Sequence, residues 1–415
     1  MQIKVLATEQ LRGKVLLPSS KSISNRVLTI NALSGNTDVL PENVSDCDDT
    51  RVMQEWLEGE ADTVDVGAAG TAMRFSTALL SVMNGTRVIT GSERMKQRPI
   101  GLLVDALRCL GADIEYIGNK GFPPLKIKGN PDIKGGCVCL AGSVSSQYVS
   151  ALLMIAPMME EGLSLTLTGN VVSRPYIEMT IGLMRDFGAE VMWVDKNVVR
   201  VAPKPYCKRE YFVESDWSAA SYWYEMVAIG GGDVLLPGLF KDSLQGDSRV
   251  AEIFSMLGVA TEYIDGEGMS ACVHIYKCGS VCERLDFDFV EQPDLAQTFV
   301  VCCCMMGVPF RFTGLQSLKI KETDRISALQ NEMRKMGYVV GEEDGSVLYW
   351  DGERCEGDAE PAIDTYEDHR MAMAFAPCAL KLGEIRINEP KVVSKSYPGF
   401  WDDLKNVSFS IEETV

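Results

Sequence analysis

Histidine is nearly absent, with two in 415 residues. The chain has no C-x-x-C pair, and Cys137, Cys139 and Cys207 have no second ligand pair at zinc spacing. A structural zinc needs four Cys or His ligands at short intervals, so no metal site is expected. The 13 cysteines are an odd number, and Cys302, Cys303 and Cys304 stand together in an apolar run, where they suit the role of small buried hydrophobes rather than a disulfide framework. Basic charge is also scarce: 40 Lys and Arg face 58 Asp and Glu, a formal net charge of −18. A surface with that field excludes general binding to nucleic acid or to an acidic membrane. An anionic small molecule must therefore meet a local cluster of cations. No stretch approaches the roughly 18 apolar residues of a membrane-spanning helix, and the start MQIKVLATEQ lacks a basic-then-apolar signal pattern. A soluble, cytoplasmic protein with no nucleic-acid or membrane partner is expected.

What is present is a large core and a repeat. With 46% hydrophobic residues over 415 positions, the chain exceeds the size at which single cores split, which predicts two domains. A unit recurs along it: an amphipathic helix ending in Leu, Met or Phe followed by Gly, then a strand, a turn and a strand. It reads LVDALRCLGADIEYIG, TIGLMRDFGAEVMWVD, AEIFSMLGVATEYIDG and LQNEMRKMGYVVGEEDG, closing at Gly111, Gly188, Gly258 and Gly337. A glycine just past a helix tolerates the left-handed backbone that other residues resist. An earlier copy, TRVMQEWLEGEADTVDVG, closes at Gly59, but the next closing glycine is only 52 residues on (111 − 59), against 77 from Gly111 to Gly188 (188 − 111). The first repeat is thus short, as though a strand pair were missing. A sixth helix, PGFWDDLKN, has Asn406 in the glycine's place. These units predict an α/β (α+β) fold of two similar domains, each of three helix-and-sheet repeat units, with the first repeat shortened.

Six segments carry residue types suited to chemistry. LPSSKSISNRVLTINAL places Ser22 to Arg26 at a helix start after a strand, so that hydroxyls, free N–H groups, Lys21 and Arg26 converge where the helix dipole favours an anion. An ordinary Ser-capped helix explains the same pattern. VGAAGTAMRFSTALL sets Gly67 and Gly70 before another helix start, where backbone can approach a ligand closely. GSERMKQRPIG packs Arg94, Lys96 and Arg98 before Pro99, which is read as opening the next helix. GSVSSQYVSALLMIAP offers Ser143, Ser145, Ser146 and Gln147 as neutral donors. IKETDRISALQ alternates Lys321, Glu322, Asp324 and Arg325, a pattern that an exposed salt-bridged helix start also produces. TYEDHRMAMAFA holds His369 beside Asp368 and Arg370, whereas His274, in ACVHIY, reads as structural.

SKSISNR, GTAMR, RMKQRPIG, GSVSSQ, SRPYIEMT, KETDR and DHRMAM, in this order from Leu17 to Leu404, resemble the 3-phosphoshikimate 1-carboxyvinyltransferase (EPSP synthase) family of enolpyruvyl transferases. The resemblance implies one domain from residues 1–20 plus 214–415, another from 21–213, and an active site in the cleft between them. It implies shikimate 3-phosphate contacts from Lys21, Ser22, Arg26, Ser145, Ser146, Gln147, Ser173, Tyr176, Asp294, Ser317 and Lys321. It implies phosphoenolpyruvate contacts from Lys21, Gly70, Arg98, Gln147, Arg325, Arg370 and Lys395. The implied catalytic groups are Asp294 as base toward the 5-hydroxyl, Glu322 or Lys21 as the acid toward C3, and His369 orienting Glu322 or the leaving group. No cofactor and no metal are implied, and a monomer is expected.

The chain departs from the family pattern in two side chains. Ala68 and Ser317 stand where the family carries asparagines; the first departure implies a weaker grip on phosphoenolpyruvate or glyphosate. Two rival readings remain at this level: the sister family acting on UDP-N-acetylglucosamine, and a non-catalytic phosphosugar binder.

Overall fold

The computed structural model describes residues 1–36, 39–59 and 61–414. The chain forms two compact units, Ser19–Val213 and Met1–Pro18 with Glu214–Val415.

In both units one motif recurs. A strand leads through an inner helix to a parallel second strand, and an outer helix then leads to a hairpin whose last strand inserts beside the second. In the Ser19–Val213 unit this gives a sheet ordered Thr63–Asp65, Gly85–Thr90, Leu125–Gly129, Asp113–Tyr116, and another ordered Gly136–Ala141, Leu163–Thr168, Val198–Val201, Val191–Asp195. The inner helices Lys21–Leu33, Gly70–Val82 and Ser146–Ile155 are buried on nearly every face. Their sequences explain it: GTAMRFSTALLSV carries small or apolar residues all round, and such a helix must be enclosed. Outer helices such as Arg174–Asp186 bury one face only.

The first repeat keeps both its helices, Lys21–Leu33 and Asp48–Glu58. Of its sheet, the described residues retain one parallel bridge, Glu42 to Phe212, with Glu42 N donating to Tyr211 O (2.8 Å) and Val213 N to Glu42 O (3.0 Å). The strand Thr63–Asp65, which follows the outer helix almost at once, pairs in parallel with Gly85–Thr90 and so already belongs to the next repeat. The missing strand pair is therefore the outer hairpin, while the inner helix that carries Lys21 and Arg26 is kept. This also corrects the reading of Gly59. Gly111, Gly188, Gly258 and Gly337 have φ of 105°, 86°, 80° and 84°, but Gly59 has φ −93° and leads out in extended backbone. With no hairpin to enter, the chain needs no left-handed turn there.

The other unit holds three four-stranded sheets with the same order. Two are contiguous in sequence after residue 213, apart from the edge strand Arg12–Lys14. The third is completed by the start of the chain: Gln2–Leu6 lies antiparallel between Glu384–Asn388 and Ser410–Thr414. Its inner helices are Trp217–Gly230, Ala296–Met306 and His369–Phe375. Cys302, Cys303 and Cys304 are buried in the second of these.

Glu225 is an anomaly in this core. It sits mid-way along Trp217–Gly230, wholly buried, and both carboxyl oxygens lack a hydrogen-bond partner among the described residues. Burial pushes its pKa well above the usual range, and it helps hold the thiols of Cys302, Cys303 and Cys378 high. A carboxyl raised on folding stabilises fully only below its unfolded pKa; that contribution is lost as pH rises through the folded pKa. Glu225→Gln removes this dependence. Denaturant midpoints should therefore shift in favour of the variant between pH 6 and pH 9, and a constant difference would show that Glu225 does not titrate on unfolding.

Candidate active site

In the Ser19–Val213 unit the candidate residues gather at helix starts, where unpaired N–H groups and the helix dipole favour anions. Ser20, not Ser22, caps Lys21–Leu33, its Oγ accepting from Ile23 N at 3.4 Å. One turn on, Arg26 is only 2% exposed. Its Nε donates to Thr180 Oγ1 (2.7 Å), Nη1 to Ser22 O (2.9 Å), and Nη2 to Ser150 Oγ (3.1 Å) and Tyr176 O (3.4 Å). Every acceptor is neutral, and no carboxylate pairs with it among the described residues. Burial lowers its pKa to about 10, so it stays charged at neutral pH. A buried cation without a counter-ion is costly; an arriving anion relieves that cost. Lys21 Nζ lies 3.9 Å from Asp49 Oδ2.

A second group forms around Gly70. Arg98 lies against it so closely that a Cβ on Gly70 would come within 2.6 Å of Arg98 Nη1. Gln147, at the start of Ser146–Ile155, donates through Nε2 to Thr71 Oγ1 (3.0 Å), joining two helix starts, and Ser145 caps by accepting from Gln147 N (3.3 Å). Ser173, before Arg174–Asp186, has φ 53°, a left-handed backbone that serine adopts only under constraint. Arg74 escaped the sequence reading. It is 4% exposed, and its guanidinium donates to Gly70 O (3.1 Å) and Pro99 O (3.3 Å), tying the Gly70 turn to the Arg98 turn. The signal for it is an arginine inside the apolar run AMRFSTALL, a place where charge survives only if it is used.

Not every cation joins these groups. Lys96 pairs with exposed Glu93 at 2.7 Å, and Arg94 is exposed, as in a solvated basic turn. Pro99 lies two residues before the first helical residue of Gly101–Cys109 rather than in its first turn. Ala68 is exposed, next to Gly67 with φ 53°. Gly70→Ala should displace the flexible end of Arg98 while leaving the fold intact. The denaturant midpoint is expected to hold, while affinity for a small carboxylate substrate falls roughly tenfold, as for one lost charge-assisted hydrogen bond; isothermal titration measures it, and unchanged affinity would separate Arg98 from the site.

The Met1–Pro18 with Glu214–Val415 unit is organised differently, around ion pairs. Arg325, 1% exposed, reaches three carboxylates: Nε to Asp368 Oδ2 (2.6 Å), Nη1 to Asp294 Oδ1 (2.9 Å) and Nη2 to Glu322 Oε2 (2.8 Å). The alternating charges of KETDR are thus not an exposed ladder. Only Asp324 plays the capping part, its Oδ1 accepting from Ser327 N at 3.2 Å. Asp294 also meets Lys321 Nζ (3.2 Å) and Arg370, whose Nη1 donates to the Asp294 carbonyl (3.0 Å) and whose Nη2 lies 3.6 Å from Oδ2. Burial alone would raise the Asp294 pKa, but Lys321, Arg370 and Arg325 outweigh it and hold the carboxyl well below the usual range.

Asp368 caps His369–Phe375 by accepting from Arg370 N (2.9 Å). The turn before it, Tyr366 and Glu367, is left-handed at φ 53° and 57°, and Lys395 Nζ donates to Glu367 O (2.7 Å). Strain of this kind persists where surrounding contacts over-determine the backbone. His369 is 3% exposed with Nδ1 3.9 Å from Asp368 Oδ1, and Glu322 pairs with Arg325. Ser317 is half-buried in the short turn Gln316–Ile320 that leads to Lys321. His274 bonds Asp233 (2.9 Å) and Glu262 (3.4 Å) on a sheet of its own unit. Among the described residues no group of His, Cys, Asp and Glu could hold a metal, and no helix is long and apolar enough to cross a membrane.

Cations at inner-helix starts in one unit, and in the other a partly buried carboxylate ringed by cations, are the equipment of a group-transfer enzyme for small phosphorylated anions. The model of the family EPSP synthase (3-phosphoshikimate 1-carboxyvinyltransferase) matches residues 54–404. A 3-phosphoshikimate 1-carboxyvinyltransferase of Bacteroides fragilis is 56% identical over 413 residues, covering 99% of each chain, and that of Vibrio atlanticus is 37% identical, covering 96% of this chain and 98% of its own. The solved EPSP synthase from Acinetobacter baumannii superposes with a TM-score of 0.79 over 100% of both chains at 22% identity, which speaks for the fold. The chain belongs to the EPSP synthase family. The resemblance seen in its motifs, the fold class and a transferase activity are borne out; the sister-family and non-catalytic readings are not favoured.

Proposed function

We propose that this chain transfers the enolpyruvyl group of phosphoenolpyruvate to the 5-hydroxyl of shikimate 3-phosphate, releasing phosphate, a step of the shikimate pathway toward chorismate and the aromatic amino acids. The observation that carries the reading is Asp294, a carboxylate kept ionised by Lys321, Arg325 and Arg370. In the resting chain these cations make it a weak base. Phosphate and carboxylate groups of arriving substrates would draw Lys321 and Arg370 toward themselves, raising its basicity as it is needed. Asp294 then takes the 5-hydroxyl proton while that oxygen bonds C2 of phosphoenolpyruvate. Glu322, or Lys21, delivers a proton to C3. Loss of that C2-bound phosphate, with a proton removed from C3, restores the double bond as an enol ether. Arg98, Arg325, Arg370 and Lys395 offset the charge building on the leaving group.

Arg26 and the hydroxyls of Ser145, Ser146 and Ser173, with Lys21, Ser22, Gln147, Tyr176, Asp294, Ser317 and Lys321, are assigned to shikimate 3-phosphate. Lys21, Gly70, Arg98, Gln147, Arg325, Arg370 and Lys395 are assigned to phosphoenolpyruvate. Both substrates draw on both units in this reading. Ala68 offers no side-chain donor beside Gly67, so a weakened hold on phosphoenolpyruvate and on glyphosate belongs to it. The protein acts in the cytoplasm as a monomer, with no cofactor or metal. The test is phosphate release from the purified chain. Release only when both substrates are present supports the transfer; release from phosphoenolpyruvate alone would make it a hydrolase, and calorimetric binding of shikimate 3-phosphate without release would make it a binder.

A further inference from the structure

The turn Tyr366–Glu367 is left-handed without a glycine in it, at φ 53° and 57°. The outer helix Arg325–Lys335 grips the chain on both sides of that turn. Arg325, Glu332 and Lys335 stand at i, i+7 and i+10, along one face of the helix. Beyond the turn, Arg325 Nε meets Asp368 Oδ2 (2.6 Å). Before it, Lys335 Nζ donates to Ala362 O (3.1 Å) and to Asp364 Oδ2 (2.8 Å). Glu332 lies between these two grips and is wholly buried. Its Oε2 accepts from Asp364 N (3.0 Å) and Lys335 Nζ (2.8 Å), and its Oε1 accepts from the Tyr366 hydroxyl (2.6 Å).

Asp364 and Asp368 have anchors of their own: Asn388 Nδ2 donates to Asp364 Oδ1 (2.7 Å), and Asp368 N donates to Thr365 O (2.8 Å). The bond from Tyr366 to Glu332 is different, because it starts on the left-handed turn itself. That turn decides where the Glu367 carbonyl points. Lys395 Nζ, at the end of Pro390–Lys395, donates to this carbonyl at 2.7 Å. A neutral carbonyl fixes an ammonium without cancelling its charge, whereas a carboxylate in its place would compete with an anionic substrate.

We propose that Glu332 is a positioning residue for Lys395, acting through the Tyr366 hydroxyl to hold the left-handed turn that presents the Glu367 carbonyl. Two residues with side chains stay in that backbone only while contacts of this kind over-determine it. With the turn released, Lys395 keeps its charge but loses the acceptor that fixes it, and each binding event must first order a long side chain. The inference rests on the assignment of Lys395 to phosphoenolpyruvate in the reaction proposed above.

The test is a double-mutant cycle of Tyr366→Phe and Lys395→Met, read as kcat/KM for phosphoenolpyruvate and, separately, KM for shikimate 3-phosphate. Tyr366→Phe keeps the ring and removes only the hydroxyl. Alone, it should lower kcat/KM for phosphoenolpyruvate roughly three- to tenfold, the order of one charge-assisted hydrogen bond, and leave KM for shikimate 3-phosphate unchanged. Added to Lys395→Met it should cost nothing more, because both changes act on one interaction. An undiminished loss in the Lys395→Met background overturns the proposal, as does a matching rise in KM for shikimate 3-phosphate, which a loosened fold would give. Glu332→Gln is the second variant if Tyr366→Phe does not fold. Its amide leaves one acceptor oxygen for the two donors Asp364 N and Tyr366 Oη, so it should lose in the same direction and again only while Lys395 is present; an equal loss without Lys395 overturns the proposal. A loss in Lys395→Met with none in Tyr366→Phe overturns the inference alone. No wild-type turnover, or no loss in Lys395→Met, overturns the reading beneath it and the inference too.

Discussion

Replacing Arg325 with methionine should cost the unit formed by Met1–Pro18 and Glu214–Val415 about 3–5 kcal/mol, the range for a buried ion pair that loses one partner. Arg325 is 1% exposed and Asp368 is fully buried, so the Asp368 carboxylate would be left in low dielectric with its cation gone, while Asp294, partly exposed, would keep Lys321 and Arg370. Lysine would not rescue it. One ammonium cannot reproduce a planar fork that meets Asp368, Asp294 and Glu322 through Nε, Nη1 and Nη2 at 2.6, 2.9 and 2.8 Å. The effect should appear as a lowered denaturant midpoint, partly recovered by adding Asp368→Asn, which removes the charge most deeply stranded. A loss below about 1 kcal/mol would mean that water or a rearranged Lys321 satisfies these carboxylates, and that the cluster is an ordinary surface network.

Asp294→Asn should lower turnover by about 10²–10⁴-fold, the usual contribution of a positioned general base. The substitution conserves shape but removes a negative charge beside Lys321, Arg325 and Arg370. Those cations would then attract an anionic substrate at least as well as before. Calorimetry should accordingly show shikimate 3-phosphate binding undiminished while phosphate release collapses. Turnover above a tenth of wild type would place the base elsewhere, with Glu322 the next group to test.

The repeat was legible because its glycines do conformational work that can be read at a distance. Gly111, Gly188, Gly258 and Gly337 all close helices in left-handed backbone. Gly59 misled because the same letter stands where the chain runs extended, and only the absence of a following hairpin distinguishes it. Membership of Gln2–Leu6 in the last sheet was not legible, since its partners lie at the other end of the chain and nothing local signals the pairing. The anion-binding motifs stood out because hydroxyls, glycines and cations at helix starts form a local pattern. What remained hidden was tertiary: the burial of Arg325, whose neighbours Glu322 and Asp324 suggest a solvated face, and the bracing of two turns by Arg74.

The sheet that joins both chain ends has a consequence for synthesis. Gln2–Leu6 leaves the ribosome long before its two neighbours, Glu384–Asn388 and Ser410–Thr414. At about 5–20 residues per second, the opening strand waits on the order of tens of seconds with its hydrogen-bonding edges open. Ser19–Val213 is continuous in sequence and can be finished long before then. The growing chain thus spends the later part of its synthesis as one completed unit tethered to an unsatisfied strand, and a truncation that removes Ser410–Thr414 would strand Gln2–Leu6 as well.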